Sequence, residues 1–335
     1  MAWLPAGVFS QSAEIRPAPL VVMPGEVDSN SPAFWLDGQL HLMNSTGNGP
    51  VISRGTAQFL LSRPKPVTFV RRSQWPAWIE STWVDMNGTV FGWYHLEQEG
   101  VCGGKRPTQP QIGAAISYND GETFWDLGII LASAYAPDCS SQNEYFTGGH
   151  GDFSVILDRN QEYFYFLFTN YGGPVETQGV AVARMAVGDR FNPVGRVRKY
   201  HEGTWTQPGV TGHVTPMLPA TVSWQNADTD SFWGPSVHWN AYLESYVMLL
   251  NRSCCWPGFP QEGIYLSFNP DLGSPTGWTE PQKVLDDPGW YPQVLGTGLG
   301  ETDTEAGRVA RLYVYGQSRA RIVFQRAPRA PAPVE

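Results

Sequence analysis

The chain has 335 residues, a net charge of −9 and only 16% charged residues. No basic run is longer than Arg71-Arg72, so nothing answers a row of phosphates and nucleic acid is excluded as a partner. No apolar stretch approaches the ~20 residues of a membrane helix, and the low charge disfavours long solvated helices.

With 14 Trp, 14 Tyr and 16 Phe beside 36 Gly and 28 Pro, the composition predicts many short strands joined by tight turns. Residues 1–20 lack a basic segment followed by an apolar one, so the sequence reads as cytoplasmic, or as secreted or periplasmic if a leader has been removed.

In chain order, residues 8–16 (Val-Phe-Ser-Gln-Ser-Ala-Glu-Ile-Arg) read as a lone strand. A repeated unit follows: a small or polar start, a strand, a turn, then an aromatic-rich strand. Its copies begin at Ser31, Ser81, Ser154 and Ser236, and a shorter fifth begins near Tyr291 and resumes at Arg311-Leu-Tyr-Val-Tyr. Asp37-Gly38, Asn87-Gly88 and Asp158-Arg-Asn160 supply hairpin chemistry between the paired strands. A second hairpin follows the first, as in Ile112–Ser117 with Thr123–Ile130, or Gly263–Asn269 with Trp278–Leu285. The uneven spacing of the serines excludes a constant-period solenoid and fits blades with variable loops. The expectation is a single all-β domain over 1–326, a five-bladed β-propeller of four-stranded antiparallel blades. The fifth blade lacks a strand, which the N-terminal segment would supply, closing the ring and hiding a sheet edge. Residues 327–335, rich in Pro and Ala, read as a disordered tail. Ser117-Tyr-Asn-Asp-Gly-Glu-Thr-Phe124 resembles the Asp-box turn of sialidase-type propellers and reads as structural.

Cys102 and Cys139 flank one predicted hairpin and are expected to bridge. The adjacent Cys254 and Cys255 are read as two loop thiols. The absence of a Cys-x-x-Cys pair argues against a structural zinc site.

In a propeller, residues just before each inner strand face the funnel mouth. Measured from the repeat serines, these are Asp28, Glu80 and Asp152 in blades one to three. Blade four offers Trp233-Gly234-Pro235, and blade five Trp290-Tyr291-Pro292. Three carboxylates at matched positions in a charge-poor chain, beside aromatic platforms, are the apparatus of sugar chemistry. One activates water, one protonates the leaving oxygen, and aromatic faces stack on sugar C–H groups. Trp233, His238, Trp290 and Tyr291 are the expected substrate walls, with His95 and His150 beside the carboxylates. Singly, each of these residues also fits a bland role: an Asx turn at Asp28, blade packing for each Trp, a hydrogen-bonded histidine at a strand end.

This layout resembles the five-bladed propeller glycoside hydrolases, families 43, 62 and 117 with 32 and 68. Asp28-Ser-Asn-Ser-Pro and Asp152-Phe-Ser-Val-Ile-Leu-Asp158 carry the likeness, together with Trp233-Gly-Pro-Ser236, where Trp233 replaces the general acid of family 43. The resemblance implies Asp28 as general base and Asp152 as the residue that orients the acid and tunes its pKa. Glu80, in its apolar setting Trp78-Ile-Glu-Ser-Thr-Trp83, is then the candidate acid, with His95 and His150 as substitutes. It further implies an oligo- or polysaccharide substrate and, since families 43, 62 and 117 invert, an inverting mechanism. No cofactor is required, although relatives hold a structural calcium ion in the channel; the chain has no Asp-x-Asp-x-Asp loop, so no metal ligands are assigned. The rival readings are a non-catalytic glycan-binding propeller, which Trp233 favours, and a polysaccharide lyase, for which Arg54, Arg252 and Arg311 would neutralise a uronate.

Overall fold

The computed structural model describes residues 11–326, in which strands fold into five sheets around a common axis. Blade one is Ala33–Leu36, Gln39–Thr46, Gly49–Gly55 and Lys65–Pro66, from axis to rim. Blade two is Ala77–Val84, Val90–Gln98, Gln109–Ser117 and Thr123–Leu131, with Thr68–Val70 added in parallel at the rim. Blade three runs from His150–Leu157 through Tyr163–Asn170 and Gly179–Ala186 to a rim hairpin, Arg198–His201 with Thr204–Pro208; Leu218–Pro219 also pairs with its third strand. Blade four is Ser231–Asn240, Ser245–Ser253, Gln261–Asn269 and Gln282–Leu285, and Glu305–Ala306 pairs in parallel with its inner strand. Blade five is Gln293–Gly296, Val309–Val314, Gln317–Gln325 and Ser12–Val22. The expected four strands per blade therefore hold for blades one and five. Blade two gains Thr68–Val70 and blade three gains Leu218–Pro219 from the connections between blades, blade three adds its rim hairpin, and blade four takes Glu305–Ala306 from the connection between the first two strands of blade five.

Local chemistry explains the hairpins. Asp37 and Gly38 both take positive φ, 48° and 73°, the twist a two-residue hairpin needs. In the Asp-box-like turn, Asn119 Oδ1 accepts the Thr123 N–H at 2.9 Å and Ser117 Oγ accepts the Gly121 N–H at 3.1 Å. This turn joins the third and fourth strands of blade two and buries Phe124, a structural part as expected. No α-helix occurs among the described residues; three single 3₁₀ turns are the only helical segments, and no helix is long and apolar enough to cross a membrane.

The core lies between blades. Trp93 of blade two meets Phe164 and Phe166 of blade three at ring-centroid distances of 5.0 and 5.8 Å. Each fully buried aromatic ring contributes about 1.5–3 kcal/mol. His238 belongs to this packing: both ring nitrogens are buried without a partner and the ring lies 5.4 Å from Phe324 of blade five. Burial drives its pKa down to about 3, so it is a neutral packing group and not a substrate wall.

Cys102 and Cys139 are bonded, Cα atoms 5.5 Å apart, as expected. Cys254 and Cys255 are bonded as well, which corrects the reading of two thiols. Their Cα atoms lie 3.3 Å apart, so their side chains face one another instead of diverging.

The N-terminal strand closes the ring as expected: Ser12–Val22 pairs antiparallel with Gln317–Gln325, from Ser12 opposite Gln325 to Val22 opposite Gln317. Residues 8–10 of the expected strand and the 327–335 tail lie outside the described residues. Removing the chain before Met23 leaves 317–325 as an unpaired edge. Thermal unfolding should fall by about 5 °C or more, with concentration-dependent self-association in light scattering.

Candidate active site

Each inner strand of blades two, three and four carries a β-bulge at the funnel mouth. The register slips across Glu80, between Ile79 and Ser81; across Asp152, between Gly151 and Phe153; and across Gly234-Pro235, between Trp233 and Ser236. A bulge inserts one residue out of ladder phase and re-aims its side chain. Asp152 takes φ 41° there, the left-handed region a residue with a Cβ adopts only at a cost.

A cavity at this mouth is lined by Asp28, Glu97 and Asp152, by His95 and Arg106, and by a cage of aromatic rings. Trp78, Tyr145, Phe146, Tyr171, Trp224, Trp233, Phe259, Trp290 and Tyr291 all contribute. Trp233 is fixed by its indole N–H on Gln261 Oε1 at 2.7 Å and stands edge-on to Trp290 and Tyr291 at 5.4 and 5.8 Å. Trp233, Trp290 and Tyr291 thus border the cavity where walls were expected.

Asp28 is half-buried and accepts the Trp78 indole N–H at 3.2 Å on Oδ2. Burial raises its pKa and the Trp78 hydrogen bond works against that. Asp152 is buried and accepts the hydroxyl of Tyr171. Burial raises its pKa most; Glu80 adds to the rise, His95 and Tyr171 oppose it, and it settles at about 7. The Tyr291 hydroxyl is pushed well above its usual range by burial, then by the charges of Asp152 and Asp28, so it remains a neutral donor beside both.

Glu80 does not line the cavity, which corrects its reading as the acid. It turns toward blade three, where Oε2 accepts the Phe153 N–H at 2.9 Å and Oε1 meets His95 Nδ1 at 3.0 Å. Both oxygens are committed and the side chain is 1% exposed. His95 borders the cavity, but its Nε2 edge lies against Gly151, where a Cβ would come within 2.9 Å of that nitrogen. Burial alone would strip this ring of its proton. The Glu80 hydrogen bond, with the charges of Glu80 and Asp152, outweighs burial and holds its pKa at about 9. His150 is also outside the cavity: Nδ1 meets Gly149 O at 3.0 Å, the ring lies 4.7 Å from Phe168, and burial drives its pKa well down. It serves neither as acid nor as wall.

Glu97 and Arg106 are cavity residues that the funnel-mouth positions do not reveal. Glu97 lies on the second strand of blade two, and the signal for it was its spacing of two from His95, which puts both on one face. Trp224 comes from the long connection into blade four, where no periodicity marks it.

Among the described residues, the acidic, His and Cys groups that come together within 4.8 Å are Glu80, His95 and Asp152, and Asp230 with Cys254 and Cys255. Neither set fits the calcium ion that the family resemblance implies. Calcium takes six to eight oxygens, whereas Glu80 is saturated by N–H groups, His95 brings a protonated ring, and the two sulfurs are bonded to each other.

Comparison with known proteins gives a fold. No family model matches the chain, and no curated protein matches it by sequence. Solved structures do match. A thermostable family-43 glycoside hydrolase superposes with a TM-score of 0.52 at 11% identity, over 92% of this chain and 96% of that one. An endo-arabinase from Bacteroides thetaiotaomicron gives 0.52 at 11% identity, over 94% and 99%. An exo-β-1,3-galactanase from Clostridium thermocellum gives 0.51 at 12% identity, over 92% of this chain and 62% of that one. The chain therefore has the five-bladed architecture of these hydrolases.

The Glu80–His95 pair makes a prediction about stability. His95 titrates near 6.5 when unfolded and about 9 when folded, so its contribution is complete below about pH 6.5 and lost as pH rises through 9. Glu80→Gln removes the partner. Its destabilisation should be largest below pH 6.5 and shrink by on the order of 2 kcal/mol by pH 9.5. Denaturant unfolding of both proteins at each pH measures this. Lys199, whose pKa burial lowers to about 7, is common to both and cancels.

Proposed function

We propose that the chain is a glycoside hydrolase acting on an oligo- or polysaccharide, with Asp28 and Asp152 as its paired carboxylates. One observation carries the reading: two carboxylates from different blades border a single aromatic-lined cavity, and their environments separate their roles. The fold is shared with a family-43 hydrolase, an endo-arabinase and an exo-β-1,3-galactanase, which supports a glycan substrate.

Asp28 is the general base. It takes a proton from water as the water oxygen attacks the anomeric carbon. Asp152, with a pKa of about 7, carries a proton near neutral pH and passes it to the glycosidic oxygen as the C–O bond breaks. This departs from the role the family resemblance implied for Asp152, because Trp233 stands where that family keeps its acid and Glu80 and His150 lie outside the cavity. Carboxylates on separate blades leave room for a water between them, which favours inversion; in inverting enzymes the gap is roughly 6.5–9.5 Å. Tyr171 donates to Asp152, and Trp233, Trp290 and Tyr145 supply faces for the sugar.

A second reading, a glycan-binding propeller without catalysis, draws its support from Trp233. An assay decides between them. Asp28→Asn should cost about 10²–10⁴ in kcat/KM. Asp152→Asn should cost as much on natural glycosides and far less on nitrophenyl glycosides, whose leaving groups need little protonation. The wild-type kcat/KM profile should be bell-shaped, falling above about pH 7 as Asp152 loses its proton and at acid pH as Asp28 gains one. A wild type inert on every glycoside that it nonetheless binds establishes the binding reading.

A further inference from the structure

Arg106 stands at the cavity rim on the connection between the second and third strands of blade two, and its side chain is exposed. Three carboxylates, Asp28, Glu97 and Asp152, border the same cavity, yet Arg106 forms no ion pair and donates no hydrogen bond among the described residues. Its position is set by other means. The guanidinium lies over the Tyr145 ring, 5.4 Å from the centroid. On one side its loop is tied by the Cys102–Cys139 bond. On the other, the Thr108 N–H donates to Tyr145 O at 2.8 Å and the Thr147 N–H to Thr108 O at 2.9 Å. Tyr145 is itself fixed by its N–H on Asn143 Oδ1 at 2.7 Å. The cation is thus held in place by stacking and anchored backbone, with its donor fork unused.

We infer that Arg106 binds a carboxylate of the substrate, so that the preferred glycan carries a uronic acid; the inference rests on reading the cavity as a sugar site. A guanidinium presents two parallel N–H donors that match a carboxylate. A neutral sugar needs aromatic faces and hydroxyl partners, which the cavity supplies without a cation. The other cation at the site, His95, is committed to Glu80. The cavity carboxylates repel an anionic substituent and Arg106 attracts it, so one residue both accepts the acidic sugar and fixes its orientation.

The experiment uses Asp28→Asn protein, so that ligands are bound and not consumed. Calorimetry measures its affinity for galacturonate- and glucuronate-containing oligosaccharides, for their neutral counterparts and for sulfated galacto-oligosaccharides. The expected result is uronate binding about tenfold or more tighter than neutral binding. Adding Arg106→Gln should lower the uronate-to-neutral affinity ratio at least tenfold, and Arg106→Lys should restore part of it. Equal affinity for acidic and neutral sugars, an equal loss on both with Arg106→Gln, or Arg106-dependent binding of the sulfated sugars alone overturns the inference and leaves the sugar site standing. No binding of any glycan overturns both.

Discussion

The structure depends on how five inner strands meet at an axis where they cannot pair as a sheet. Their backbone groups must be satisfied, since a buried unpaired N–H or C=O costs about as much as a lost hydrogen bond. Side chains at the start of each repeat do this. Ser31 and Gln293 join blades one and five, with the Ser31 N–H on Gln293 Oε1 at 2.6 Å and the Gln293 amide N–H on Ser31 O at 2.8 Å. Ser81 Oγ accepts the Val155 N–H at 2.8 Å, linking blades two and three. Asn30 donates to Phe153 O and Pro235 O at 2.9 and 3.2 Å, reaching from blade one to blades three and four. Glu80 belongs to this seam. Its hydrogen bond to the Phe153 N–H makes it a structural bridge, and that is why the carboxylate that looked best placed for acid catalysis is spent.

The same seam supports strain at the cavity. Of the nine residues other than glycine with positive φ among the described residues, six sit in tight hairpin turns, where that conformation is expected. The other three, Asp152 (41°), Phe259 (56°) and Tyr291 (55°), all line the cavity. Such conformations persist only where surrounding structure over-determines them, and they gather at functional sites. Here the determinants are visible: the Phe153 N–H anchored to Glu80 one residue after Asp152, and the Tyr291 N–H anchored to Asn251 Oδ1 at 3.0 Å. Rigid backbone aims the Asp152 carboxyl and the Tyr291 hydroxyl at a common space.

The repeat serines made the blade count, the inner strands and the closing N-terminal strand legible, because strand alternation and turn chemistry are local. Position along the axis was legible too: Asp28, Asp152, Trp233, Trp290 and Tyr291 all reach the funnel cavity. Direction was not. Alternation tells which face a residue takes only while the ladder keeps phase, and bulges break the phase at Glu80, Asp152 and Gly234-Pro235. Glu80 and Asp152 look equivalent in sequence and their carboxyl groups approach each other, yet Glu80 spends its oxygens on the Phe153 N–H and His95 while Asp152 borders the cavity. His238 sits on an inner strand as expected and faces blade five. Arg106, Tyr145 and Trp224 reach the cavity from long connections, whose course no short-range pattern encodes.

This division explains how Trp233 can stand where the family resemblance implies an acid without loss of the fold. The seam fixes the inner strands, and residues on the cavity side of a bulge are free of seam duties. Trp233 is anchored by Gln261 on the third strand of its own blade and packs against Trp290 and Tyr291 of the next. The charge of His95, which Glu80 holds, acts on Asp152. Burial and Glu80 raise its pKa, His95 limits the rise, and the balance falls near neutrality.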